Sequence, residues 1–171
     1  MRIQEIRAYL DETGLSAENC RDAARAFIKS SGNKYEVMLT LTLKQAWYDK
    51  NGKMQVTHYL QEQDIPVIYR RFEHKLNRLV WKSCYSRFQS QQLNMLKAWE
   101  DGRGTKRKHL HALIGNFPQG FRYNRLPGLV QDAARQCYEI DRLYDARLCD
   151  SDAVDYITKE VGKRDTDKIL W

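Results

Sequence analysis

The sequence predicts one α+β domain built on an antiparallel sheet of split βαβ connectivity, with helices on one face. Three observations lead there. The apolar period switches between 2 and 3.6 along the chain, so strands and helices alternate. Two apolar stretches, residues 92–101 and 108–117, are joined only by the glycine-broken basic segment GRGTKRK, which makes them a hairpin and not a crossover. A length of 171 residues, with 42% hydrophobic and 30% charged content, suits a single core without disulfide or metal staples.

Residues 1–31 read as helical: Ser16 can cap AENCRDAARAFIKSS, in which Cys20, Ala23, Ala24 and Phe27 fall at helical spacing, and Gly32 ends it. Residues 1–34 thus form an N-terminal extension to a core at 35–163. In YEVMLTLTLK, residues 35–44, Val37, Leu39, Leu41 and Leu43 alternate with Met38, Thr40 and Thr42, the pattern of a strand with one buried face. DKNGK at 49–53 is a turn signal, and MQVTHYL behind it can complete a short hairpin. Residues 65–88 read as one long amphipathic helix, with Phe72, Leu76, Leu79 and Val80 on one face and Arg71, Lys75, Arg78 and Lys82 on another, a basic stripe for phosphates or for solvent. After the hairpin come a helix at 126–137, a strand at 138–148 and a helix at 151–162 that Gly162 would close. From residue 35 the order is strand, helix, strand, strand, helix, strand, helix: a ferredoxin-like arrangement plus one further helix.

Lys and Arg number 29 against 22 Asp and Glu, giving +7, a balance that favours anionic partners and nucleic acid first among them. Cys20, Cys84, Cys137 and Cys149 are widely spaced with no CxxC pair, so reduced packing thiols of a cytosol-like compartment are expected. No apolar run approaches the roughly 18 residues of a membrane span. Neither GxxxxGK[ST] nor GxGxxG occurs, which argues against nucleotide-driven chemistry within this chain.

Strand side chains alternate in direction, so His109 and His111 share one face while Leu110, Ala112 and Ile114 share the other. With the apolar face buried, both imidazoles stand on the open side, one pleat apart. Glu100, across the hairpin, could supply an oxygen, with Asp101 as a substitute. Two imidazoles and a carboxylate suit Mg²⁺ or Mn²⁺ in a Lewis-acid role, and could also hold zinc. The same histidines could equally be satisfied polar residues of a strand. On the last helix Val154, Ile157 and Val161 form an apolar stripe, while Tyr156, Lys159, Glu160 and Lys163 fall on an adjacent face. A phenol needs a nearby cation or metal to act as a nucleophile, and Lys159 could provide one; alternatively the ring packs at the helix edge and the lysine pairs with an acid.

As an ordered set, MLTLT, then HLH within HLHALI, then YITKE on a late helix resemble the three motifs of the HUH endonucleases, specifically the single-tyrosine initiators of rolling-circle replicons of circular single-stranded DNA viruses, plasmids and phages. The resemblance spans about residues 35–163. It implies that Met38–Thr42 form a DNA-contacting strand, that His109, His111 and Glu100 bind Mg²⁺ or Mn²⁺ with Glu160 close by, that Tyr156 is the nucleophile and that Lys159 assists it. It further implies a sequence-specific nicking and joining of single-stranded DNA through a 5′-phosphotyrosine. The partner would be an origin, at a hairpin or its flank, with a helicase in cis or in trans; the compartment would be a bacterial cytoplasm, or the nucleus for a eukaryotic virus. Phosphates are expected on Arg103, Lys106, Arg107, Lys108 and Lys163, and bases beside Thr40 and Thr42. Two features depart from the pattern: LTLTLK lacks the aromatic and proline usual in the first motif, and Glu160 stands where a second tyrosine would. A transposase or relaxase would use the same chemistry, and a non-catalytic nucleic-acid binder could use the same sheet.

Overall fold

The alternating stretch around Leu39 becomes the central strand of the sheet. In the computed structural model, which describes residues 17–51, 54–88, 91–100, 107–150, 152–159 and 169–170, β1 (Val37–Leu43) pairs antiparallel with β5 (His109–Gly115) on one side and β6 (Ile140–Leu148) on the other. β4 (Asn94–Glu100) lies beyond β5, and β7 (Ile169–Leu170) beyond β4, giving the order β6-β1-β5-β4-β7. With α2 (Ile65–Trp81) between β1 and β4, and α4 (Leu126–Arg135) between β5 and β6, this is a mixed α+β architecture broadly consistent with the expected split βαβ order. β2 (Ala46–Asn51) and β3 (Met54–Tyr59) form a separate two-stranded antiparallel sheet with Asn51 opposite Met54, the expected short hairpin.

One face of the sheet is apolar along β1 and β5, and on β4 Lys97 interrupts it, paired with Glu73 at 2.8 Å. Val37, Leu39, Leu41 and Leu43 of β1, with Leu110, Ala112 and Ile114 of β5, are buried against Ile65, Ile68, Phe72, Leu76 and Val80 of α2 and Leu126, Val130, Ala133 and Ala134 of α4. Cys137 is fully buried among them, and burial pushes its thiol up to about 11. Polar anchors fix the layer. The Asn77 amide accepts the Leu93 N–H at 2.7 Å just ahead of β4, and the buried Tyr69 hydroxyl faces the carbonyls of Ala98, at 3.0 Å, and of His111. Gly115 is required by close approach, because a Cβ there would stand 1.9 Å from the Lys34 carbonyl oxygen.

The structure corrects three expectations. The helix predicted over 65–88 breaks at Lys82, where φ is 52°, and resumes as α3 (Ser83–Arg87). The final helix is short: α5 covers Ala153–Ile157, and the buried Thr158 hydroxyl donates back to the Val154 carbonyl at 2.9 Å as the chain leaves helical geometry; Glu160 and Gly162 lie outside the described residues. Helices also stand on both faces of the sheet, not one. Ile28 of α1 (Ala17–Ser30) and Ala153 and Ile157 of α5 are buried with Met38, Leu96, Ala98 and Leu113 on the second face. The physical reason lies in the strands, where Met38 and Leu113 make one end of the supposedly open face apolar.

Candidate active site

The strand register lays the second face out in rows. Met38, Leu113 and Leu96 make an apolar row, Thr40, His111 and Ala98 the next, and Thr42, His109 and Glu100 the last. The covering helices bury the first row, so the face is closed at one end and polar at the other. His111 sits on the boundary and is buried, at 4% exposure, which corrects the expectation of two open imidazoles; His109 is partly exposed.

Each ring is held by a threonine. His111 Nδ1 lies 3.0 Å from Thr40 Oγ1, and His109 Nδ1 lies 3.2 Å from Thr42 Oγ1. Both threonine hydroxyls engage the imidazoles, an arrangement that fixes ring orientation and leaves the Nε2 edges to the site. His111 Nε2 is 3.3 Å from Glu100 Oε2, and the two imidazole centroids are 6.3 Å apart. From α5 and the turn behind it, the Tyr156 ring meets His111 edge-on at 5.2 Å and 84°, while Lys159 Nζ lies 2.9 Å from Glu100 Oε2 and 4.0 Å from the centre of the Tyr156 ring. Five residues predicted from sequence thus converge: His109, His111, Glu100, Tyr156 and Lys159.

Burial sets the electrostatics. It drives the His111 imidazole down to about 4, against the pull of Glu100 and with a further push from Lys159. For Glu100 burial acts upward, but the hydrogen bond and charge of Lys159, with His111 behind them, hold the carboxyl below its ordinary range. Partial burial likewise opposes the Lys159 charge, and Glu100 followed by the Tyr156 phenol outweighs it, raising the ammonium. At neutral pH the site holds a neutral His111, a carboxylate and an ammonium.

The donor chemistry of two imidazoles and a carboxylate fits a divalent cation. Yet among the described residues no group of three His, Cys, Asp or Glu side chains is arranged to hold a metal, and Lys159 and His111 both engage the same oxygen of Glu100. The basic tip is also committed in part: Arg107 pairs with Asp141, and Lys108 lies 3.3 Å from Glu62 and 4.8 Å above the Trp99 ring. Asp101, Arg103, Lys106, Glu160 and Lys163 lie outside the described residues.

Two contributors were missed in the sequence. Tyr69 anchors the backbone of the histidine strand from beneath; its signal was a polar tip three residues before Phe72 on the apolar stripe of α2. Arg25 of α1 reaches Asp155 Oδ1 at 3.0 Å, beside the tyrosine, a partnership between residues too far apart in the chain for spacing to reveal.

Compared with known proteins, the chain matches no family model and no curated protein. Among solved structures, the N-terminal nuclease domain of non-structural protein 1 from minute virus of mice, described as showing Zn²⁺ coordination in its active-site pocket and DNA recognition at the origin of replication, aligns over 88% of this chain and 71% of that one, at 14% identity and a TM-score of 0.33. The likeness is distant.

Proposed function

We propose that the protein is a metal-dependent endonuclease and strand transferase of the HUH single-tyrosine type, which cuts single-stranded DNA at a replication origin and can rejoin it. The observation that carries this reading is the convergence of Tyr156, on a separate element, with His111 at 5.2 Å and with the Lys159–Glu100 pair. Spacing alone would bring Tyr156 to the ammonium three residues on, but not to the imidazole of a separate strand as well.

His109, His111 and Glu100 would hold Mg²⁺ or Mn²⁺, which when bound supplies Lewis-acid polarisation of the scissile phosphate. The remaining work falls to the chain. Thr40 and Thr42 stand at the two Nδ1 atoms and could accept a proton there, which would leave Nε2 to a cation; without the cation, the Glu100 carboxylate accepts the His111 Nε2–H and the Thr40 hydroxyl donates to Nδ1. Burial keeps His111 neutral, so ligation needs no deprotonation at pH 7. Lys159, whose ammonium lies 4.0 Å from the centre of the Tyr156 ring, would offset charge developing on the phosphorus centre. The Tyr156 oxygen attacks phosphorus and loses its proton to solvent; the 3′ oxygen departs and takes up a proton, leaving a 3′ hydroxyl and a 5′-phosphotyrosine. Because the new ester keeps the energy of the broken bond, a later 3′ hydroxyl can reverse the step without a nucleotide.

Labelled single-stranded oligonucleotides from a randomised pool, incubated with Mn²⁺, should yield an SDS-resistant adduct that vanishes in chelator and in Tyr156→Phe. An adduct surviving Tyr156→Phe refutes the assignment. The Lys159–Glu100 pair favours one other reading, a non-catalytic nucleic-acid binder with structural histidines. Such a protein would keep its DNA affinity in chelator and form no adduct with any divalent ion.

A further inference from the structure

The segment that carries the nucleophile cannot position itself. α5 has five residues, far fewer than an isolated helix needs, and Tyr156 and Lys159 lie at and just past its end. Its apolar side, Ala153 and Ile157, rests on Met38, Leu96, Ala98 and Leu113 of the sheet and on Ile28 of α1. Apolar contact is non-directional and does not by itself fix the orientation of so short a segment. A polar contact does: Arg25 Nε points between Asp155 Oδ1 at 3.0 Å and Thr158 Oγ1 at 3.3 Å, while Arg25 Nη1 is tied to Asp22 Oδ1 at 3.2 Å within α1. Asp155 directly precedes Tyr156, and Thr158 directly precedes Lys159. One guanidinium nitrogen therefore touches both sides of the segment that carries the nucleophile and its cation, its N–H donating to Thr158 while its charge pairs with Asp155, and Nη1 holds the group in place on α1.

We propose that Arg25 is a positioning residue for Tyr156 and Lys159, which makes helix α1 a working part of the active site; the catalytic half of this statement rests on the function proposed above. The magnitudes favour positioning over stability. Arg25 is 30% exposed and Asp155 47%, so the pair adds little to folding, whereas a displacement of about 1 Å at a nucleophile can cost on the order of a hundredfold in rate.

The test uses the full chain with 3-fluorotyrosine incorporated at position 156, read by ¹⁹F NMR, beside unlabelled protein assayed with Mn²⁺ and single-stranded DNA. In Arg25→Met the fluorine resonance should shift or broaden. The adduct-forming rate at saturating DNA should fall about tenfold to a hundredfold, with DNA affinity within about threefold of wild type and the melting temperature lowered by less than about 4 °C. Arg25→Lys, which keeps the charge but not the Nε–H anchored through Nη1 to Asp22, should fall between. An unmoved resonance in Arg25→Met overturns the proposal, as does a rate loss accompanied by an equal loss of DNA affinity. The fluorine reading also separates the two claims: a resonance that moves in a protein forming no adduct keeps the grip on Tyr156 and refutes the nuclease.

Discussion

The two faces of the sheet are filled by different rules. Beneath α2 and α4 every inward side chain of β1 and β5 is apolar and buried, so that face works as a core from end to end. On the opposite face the rule holds for one row only: Met38, Leu113 and Leu96 are covered by α1 and α5, and the next rows turn to threonine, histidine and glutamate. The contrast teaches where such a site can exist. It needs a boundary, where burial is deep enough to neutralise an imidazole and shallow enough to admit a charged partner, and His111 occupies that boundary.

The comparison can be broken most forcefully from the core side. Phe72→Ala should cost about 3–5 kcal/mol in urea denaturation, since the fully buried ring would leave a cavity between α2 and the sheet. Next in size is a pH effect. Because the His111 pKa in the fold, about 4, lies below the unfolded value, the unfolded chain binds more protons between the two. The stabilisation is therefore complete above pH 6.5 and lost as pH falls towards 4, on the order of 3 kcal/mol. Glu100, held low by Lys159, adds to the loss at the acid end of this window. Denaturation of metal-free protein across this range measures it, and a flat profile would mean that His111 is not held neutral by burial.

Smaller in stability, but specific to the polar end, is Thr42→Val. Removing one hydroxyl partner should cost about 1 kcal/mol of folding, while Mn²⁺ affinity, read by calorimetry, should drop about tenfold to a hundredfold. Equal metal affinity in the variant would show that the threonine does not orient His109. Smallest of all, Arg135→Ala at the exposed pair with Asp132 should stay within about 0.5 kcal/mol and leave the site untouched.

Much of this was legible in the sequence, for a local reason. The alternation in VMLTLTL and HLHALIG fixes which side chains share a face, and once β1 and β5 pair, Thr40 and Thr42 must stand beside His111 and His109. What periodicity could not reveal depends on contacts distant in sequence. The covering of the second face follows from Ile28 joining one buried cluster with Met38, Leu96 and Leu113, and no local pattern at 17–30 says which surface that helix will find. The break at Lys82 carries no glycine or proline to announce it. The early end of α5 turns on Thr158, whose buried hydroxyl bonds back into the helix while accepting Arg25, a residue 133 positions away.

The central claim is that the phenol of Tyr156 is the group that takes the DNA phosphate. The measurement that tests it most directly is mass spectrometry of the tryptic digest of an Mn²⁺-dependent protein–DNA adduct. The account predicts a nucleotide joined through a 5′-phosphate to Tyr156 in the peptide spanning residues 148–159. A nucleotide on any other residue, or no covalent adduct with an origin-bearing strand, would contradict it.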